Sequence, residues 1–126
     1  MNRIAQYLIA ASLTLSVVAC ATDGMHSAPT MMSNGVMVNS AGMTLYTFDK
    51  DTADSGKSAC NGPCAALWPA VAPADAMVGG DYSVVTRDEG GKQLAYKGKP
   101  LYLFSKDQKP GDMTGDNFKD VWHVVK

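Results

Sequence analysis

The sequence predicts a small all-β domain, antiparallel and built from two similar halves, with a turn or two of helix at most. Three observations carry this expectation: a segment that repeats at a constant offset, short runs that alternate apolar and polar side chains, and Gly/Asp/Lys-rich turns between them. Gly42-Met43-Thr44-Leu45-Tyr46-Thr47-Phe48-Asp49-Lys50-Asp51 aligns with Gly98-Lys99-Pro100-Leu101-Tyr102-Leu103-Phe104-Ser105-Lys106-Asp107 at an offset of 56, and Gly, Leu, Tyr, Phe, Lys and Asp coincide. Each copy continues through a polar loop to a tryptophan in an apolar run, Leu67-Trp68-Pro69-Ala70-Val71 and Val121-Trp122-His123-Val124-Val125. Six identities in ten positions, followed by matched tryptophans, mark an internal duplication.

The first nineteen residues read as a cleaved signal peptide rather than part of the fold. Met1-Asn2-Arg3 is a short basic start, Ile4 to Val18 is a mostly apolar run too short to span a bilayer comfortably, and Val17-Val18-Ala19-Cys20 ends it with a small residue before cysteine. This junction resembles the bacterial lipobox, with Val17 standing where leucine is commonest. The resemblance implies cleavage before Cys20, a diacylglycerol thioether on its sulfur and an acyl chain on its amine. Two or three acyl chains exceed the single chain that gives only marginal binding, so a membrane is an expected partner. An ordinary secretory signal that leaves Cys20 as a free thiol is the alternative. Ala21 follows Cys20, so the aspartate that retains Gram-negative lipoproteins at the inner membrane is missing and outer-membrane delivery is expected, facing the periplasm.

Residues 20–34, the lipidated cysteine and a stretch of small and polar residues without periodicity, read as a tether, which as a random coil would hold the domain roughly 20 Å away. Residues 35–126 are then a single domain of two repeats, about 35–80 and 81–126. Val36 to Asn39 is the first strand candidate. Leu45 to Asp49 follows, with Tyr46 and Phe48 on one face, and Tyr102 and Phe104 do the same in the second copy. Tyr82 to Arg87, Gln93 to Lys97 and Val121 to Val125 are the remaining strands, with turns expected at Ser40-Ala41-Gly42, Asp88-Glu89-Gly90-Gly91 and Lys97-Gly98-Lys99-Pro100. Pro63 suits a first helical position, so Cys64 to Trp68 is the helical candidate, stopped by Pro69. Barrel and sandwich both remain open.

There are three cysteines, Cys20, Cys60 and Cys64. With Cys20 assigned to lipid, the other two would pair in an oxidising exported compartment. A disulfide closing so short a loop stabilises by roughly 2 kcal/mol in the chain-entropy model. The spacing is one residue longer than Cys-x-x-Cys and no βαβ pattern surrounds it, which favours a structural bond over a thiol-redox centre.

Tyr46-x-Phe48-x-x-Asp51 and Tyr102-x-Phe104-x-x-Asp107, with Trp68, Trp122 and the Cys60-Asn61-Gly62-Pro63-Cys64 segment, resemble a family of bacterial lipoproteins with a repeated Tyr-x-aromatic-x-x-Asp motif. It is also called a secreted repeat of unknown function. The resemblance covers roughly residues 35–126 and implies an exported, lipidated tandem repeat, with no activity to carry over. The residues themselves admit two readings. The aromatics supply apolar area to one sheet face and the aspartate orders the following loop, or the tyrosines and tryptophans line a shared ligand groove.

Metal and enzyme chemistry find little support. Met25, His26, Met31 and Met32, with Met37, Met43 and His123, are the candidates for a soft copper site. Asp49-Lys50-Asp51-Thr52-Ala53-Asp54 lacks the glycine and glutamate placement of an EF-hand. No nucleophile elbow, phosphate loop or metalloprotease histidine pair occurs. Without Arg3 the mature chain has 11 − 1 = 10 basic against 12 acidic residues, near −2, and no basic patch, which argues against nucleic acid. The sequence therefore predicts a monomeric, non-enzymatic envelope module without a cofactor, whose protein or small-molecule partner is unspecified. A periplasmic copper or thiol-redox accessory protein is the second reading.

Overall fold

The computed structural model describes residues 30–73 and 79–126; the segment expected to be a signal peptide, Cys20, Met25 and His26 lie outside them. Thr30–Ser33, assigned above to the tether, instead form β1 and pair antiparallel with β2, Val36–Asn39. Asn34 and Gly35 make the turn with φ of 52° and 86°. A two-residue hairpin loop of this hand needs positive φ at both positions, and Asn-Gly supplies it at least strain. The domain therefore includes residues counted in the tether, because one turn dipeptide outweighs the lack of alternation around it.

β3, Tyr46–Phe48, pairs antiparallel with β7, Trp122–Val124, in the register Tyr46↔Val124 and Phe48↔Trp122. β4, Tyr82–Thr86, β5, Lys92–Tyr96, and β6, Lys99–Pro100, form a three-stranded sheet in that order. The Asp88–Gly91 segment turns between β4 and β5, with the Arg87 amide donating to the Gly91 carbonyl. Lys97 and Gly98, at φ 51° and 81°, turn into β6. α1, Pro63–Leu67, begins on Pro63 and ends where the Trp68 amide donates to the Cys64 carbonyl. Among the described residues the strands make three small antiparallel sheets and no closed barrel.

The second motif copy departs from the expected strand. Tyr102 makes only isolated bridges, to Tyr46 and to Ala70. Leu103 donates to the Pro69 carbonyl at 2.8 Å and Ser105 to the Leu67 carbonyl at 2.9 Å. Pro69 has no N–H to return, where His123 in the matching ladder does, so this pairing stays one-sided.

The repeats are interlaced rather than set side by side. The motif strand of the first pairs with the tryptophan strand of the second, and the reverse pairing holds along Leu67–Val71. At the centre the Tyr46 and Tyr102 amides donate to each other's carbonyls, at 2.8 and 2.9 Å. Two matching backbone triangles flank them. Met37 donates to Val125, Val125 to Leu45 and Leu45 to Met37, while Leu94 donates to Val71, Val71 to Leu101 and Leu101 to Leu94. Their side chains form one apolar cluster. The motif aromatics, Val36, Val38, Cys60 and Val124 form the other. Both faces of β2 are thus buried, which explains its unbroken Val-Met-Val run.

Candidate functional site

Because the motif strands cross at Tyr46 and Tyr102, each tyrosine projects toward the loop of the other repeat. The Tyr46 hydroxyl donates to Asp107 Oδ2 at 2.6 Å and the Tyr102 hydroxyl donates to Asp51 Oδ2, also at 2.6 Å. The second oxygen of each aspartate orders its own loop. Asp51 Oδ1 accepts from the Ala59 amide at 2.6 Å, and Asp107 Oδ1 accepts from the amide and hydroxyl of Thr114. Ser58 Oγ, which stands 56 residues before Thr114, bonds the Tyr102 hydroxyl at 2.6 Å, and the Gly115 amide donates to that of Tyr46 at 3.3 Å. Both tyrosines are fully buried and both aspartates nearly so. Burial first, then the bond to the partner carboxylate, pushes both phenol pKa values well above the ordinary tyrosine range. At neutral pH each remains a donor to a carboxylate, the stronger kind of hydrogen bond.

The same exchange governs the rings. Phe48, Trp122, Trp68 and Phe104 form one continuous stack with centroid separations of 4.1, 3.8 and 4.1 Å, the tryptophans only 2° from parallel. The phenylalanine of each repeat lies on the tryptophan of the other. Tyr46 and Tyr102 meet the stack edge-on, at 5.2 Å from Trp68 and 5.0 Å from Trp122, the geometry that places a ring's positive edge on a neighbour's face. Trp68 and Trp122 are 2 and 3 % exposed. These aromatics pack against one another in one buried cluster.

The hairpin turn of each repeat seats the loop of the other. Gly42 lies against Pro110 and Gly98 against Asp54, positions again 56 apart, and a Cβ on either glycine would crowd that neighbour. Gly115 is tightest on the stack, where a Cβ would lie 2.5 Å from Trp68 and 2.9 Å from Phe104.

Cys60 and Cys64 are joined in a disulfide, with Cα atoms 5.2 Å apart and Cys60 fully buried. Beneath it lies Arg87, 4 % exposed, a residue with no counterpart in the expectations above. Its Nη2 donates to the Cys60 carbonyl at 2.6 Å, its Nη1 to Gln93 Oε1 at 2.6 Å and to Ser58 Oγ at 3.2 Å, and its Nε to the exposed Glu89 at 2.6 Å. Gln93 completes the network through the Leu101 carbonyl at 2.7 Å. Ser58 therefore links the guanidinium to the Tyr102–Asp51 pair.

Of the metal candidates, those among the described residues lie on different elements. Met31 and Met32 lie half-exposed on β1, while Met37 is buried in the core. His123 projects from β7 opposite Trp122, with Nε2 2.8 Å from Asp49 and Nδ1 3.1 Å from Asn117. Among the described residues no three His, Cys, Asp or Glu side chains are grouped to hold a metal ion. An open depression of about 170 Å³ lies over the first motif loop, between Lys50, Thr52, Ser55 and Lys57.

Sequence reasoning identified the tyrosines, aspartates and tryptophans as special but missed Ser58, Thr114, Gly115, Arg87 and Gln93. The constant offset does align Ser58 with Thr114. Nothing in the strand alternation marks Arg87 as buried.

This geometry defines a class: an interlaced double-repeat β domain whose motif residues hold its halves together. The chain matches, over residues 30–72 and 83–126, the family Lipoprotein_15, described as a secreted repeat of unknown function, and it belongs to that family. No curated protein and no solved structure matches it. Among the described residues no helix is long and apolar enough to cross a membrane.

Proposed function

We propose that this protein is a lipid-anchored, non-enzymatic binding or scaffolding module of the bacterial envelope, held at Cys20 and delivered to the outer membrane where the organism has one. The observation that supports this reading is the use made of the motif. Its tyrosines, aspartates and tryptophans are spent on one another across the repeat interface, buried and hydrogen-bonded. Such residues make a rigid platform, and exposed loops on a rigid scaffold are where binding residues concentrate. Mass spectrometry of the mature N-terminal peptide tests the anchor, with acyl mass on Cys20 expected and an unmodified N-terminus contradicting it. Cross-linking of the intact protein in envelopes, followed by mass spectrometry, tests the module. Reproducible partners lost when exposed loop residues are changed support it, and substrate turnover would refute it.

A copper-accessory role is the second reading, favoured by the half-exposed thioethers of Met31 and Met32. Titration with Cu(I) of the mature chain, against a variant with its N-terminal methionines replaced by leucine, separates the two readings.

A further inference from the structure

We propose that the β1–β2 hairpin rests on the lipid surface to which the chain is anchored, with Met31 and Met32 as the contacting side chains. The proposal rests on the reading that Cys20 carries lipid. Three observations point to a bilayer as the occupant.

The first is charge. From Ser27 to Phe48 the chain has no Asp, Glu, Lys, Arg or His, although 18 % of the whole sequence is charged. The hairpin and its turn can therefore approach a headgroup layer without stripping water from an ion, the costliest part of such an approach. The second is exposure. Met31 and Met32 are 50 and 55 % exposed, while their strand partners Val38 and Met37 are buried. As neighbours on a strand the two point to opposite faces, so it is the outer edge of β1, away from β2, that presents both flexible thioether chains, adaptable apolar groups that suit a fluid surface. The third is reach. Only residues 21–29 separate the lipidated position from β1, and the ten Cα-to-Cα steps from Cys20 to Thr30 span at most about 35 Å even when fully extended. The end of the domain that carries Thr30 is the end tied closest to the membrane. Val84 and Met113 are exposed apolar residues without such a tie.

The test uses the full lipidated chain in vesicles of phosphatidylethanolamine and phosphatidylglycerol. Met31→Cys, Met32→Cys and Lys92→Cys are each labelled with an environment-sensitive fluorophore, with and without brominated lipid. Lys92 is exposed at the far end of β4–β5 from Tyr82, whose hydroxyl bonds Thr30. A blue shift and bromolipid quenching at positions 31 and 32, with neither at 92, are the expected result. Equal, water-like emission at all three positions on a chain that still co-floats with vesicles overturns the proposal and leaves lipidation standing. Self-quenching at 31 and 32 that grows with copies per vesicle also overturns it, assigning the hairpin to a second copy. A chain that neither floats nor carries acyl mass overturns both.

Discussion

The Tyr46 hydroxyl of the first repeat donates to Asp107 of the second at 2.6 Å, across a sequence separation of 61. Tyr102 and Asp51 repeat the bond in the opposite sense. Tyr46→Phe leaves a buried carboxylate oxygen short of one donor, so it should destabilise by about 1–3 kcal/mol. Tyr102→Phe should cost a similar amount. Asp107→Ala should cost more than Tyr46→Phe, since Thr114 loses its acceptor as well. Urea unfolding of the three variants checks the order, and wild-type stability in either Phe variant would remove the clamp from the account.

Both phenol pKa values are raised in the folded state, so the pH dependence has a definite sign. Above about pH 10 the unfolded chain sheds its tyrosine protons first, while the folded chain keeps those of Tyr46 and Tyr102. The stabilisation is thus complete below about pH 10 and declines as pH rises through the folded values. Thermal unfolding between neutral and strongly alkaline pH should show this decline, and the Tyr46→Phe/Tyr102→Phe double variant should show less of it.

Gly115→Ala forces a methyl group into the Trp68–Phe104 stack, and overpacking of this kind costs about 1–3 kcal/mol. Trp122→Ala removes the middle of the stack, and large-to-small aromatic changes cost about 3–5 kcal/mol. That is a large share of a domain's usual margin of about 5–15 kcal/mol. Near-ultraviolet circular dichroism should lose most of its signal in the second variant and retain it in the first.

Replacing Cys60 and Cys64 by alanine should lower stability by about 2 kcal/mol, the value for so short a loop. The fold should persist, because Arg87 still holds the Cys60 carbonyl. Arg87→Leu leaves the disulfide but strands Gln93 Oε1 and leaves the Cys60 carbonyl only the long bond from the Ser58 hydroxyl, so it should destabilise more than the cysteine pair does. Comparison of the two denaturation midpoints decides this.

Interlacing also predicts complementation. Fragments 20–76 and 77–126 should each be unfolded alone, since each leaves its phenylalanine without the other's tryptophan. Mixed, they should form one folded complex by circular dichroism and size-exclusion chromatography. Independent folding of either fragment would contradict the exchange.

The duplication, the turns at Asp88–Gly91 and Lys97–Gly98, the strands around β4, β5 and β7 and the helix on Pro63 are all legible in the chain, because period-two alternation and turn chemistry are local. The Asn34-Gly35 turn is equally local, but it stands among residues that lack periodicity, so no alternation flanks it to mark a hairpin. The shortened second motif strand traces to one residue, Pro69, whose effect shows only once Leu103 is its partner.

The constant offset alone makes Tyr46 and Tyr102, and Asp51 and Asp107, equivalent in pairs. That each tyrosine serves the other repeat's aspartate, and each phenylalanine the other's tryptophan, is settled by the packing of the folded chain. A repeat that bonds within itself and one that exchanges can share a sequence pattern. Neither half can bury its aromatic face alone, and the choice between them rests on packing across the Tyr46–Tyr102 crossing.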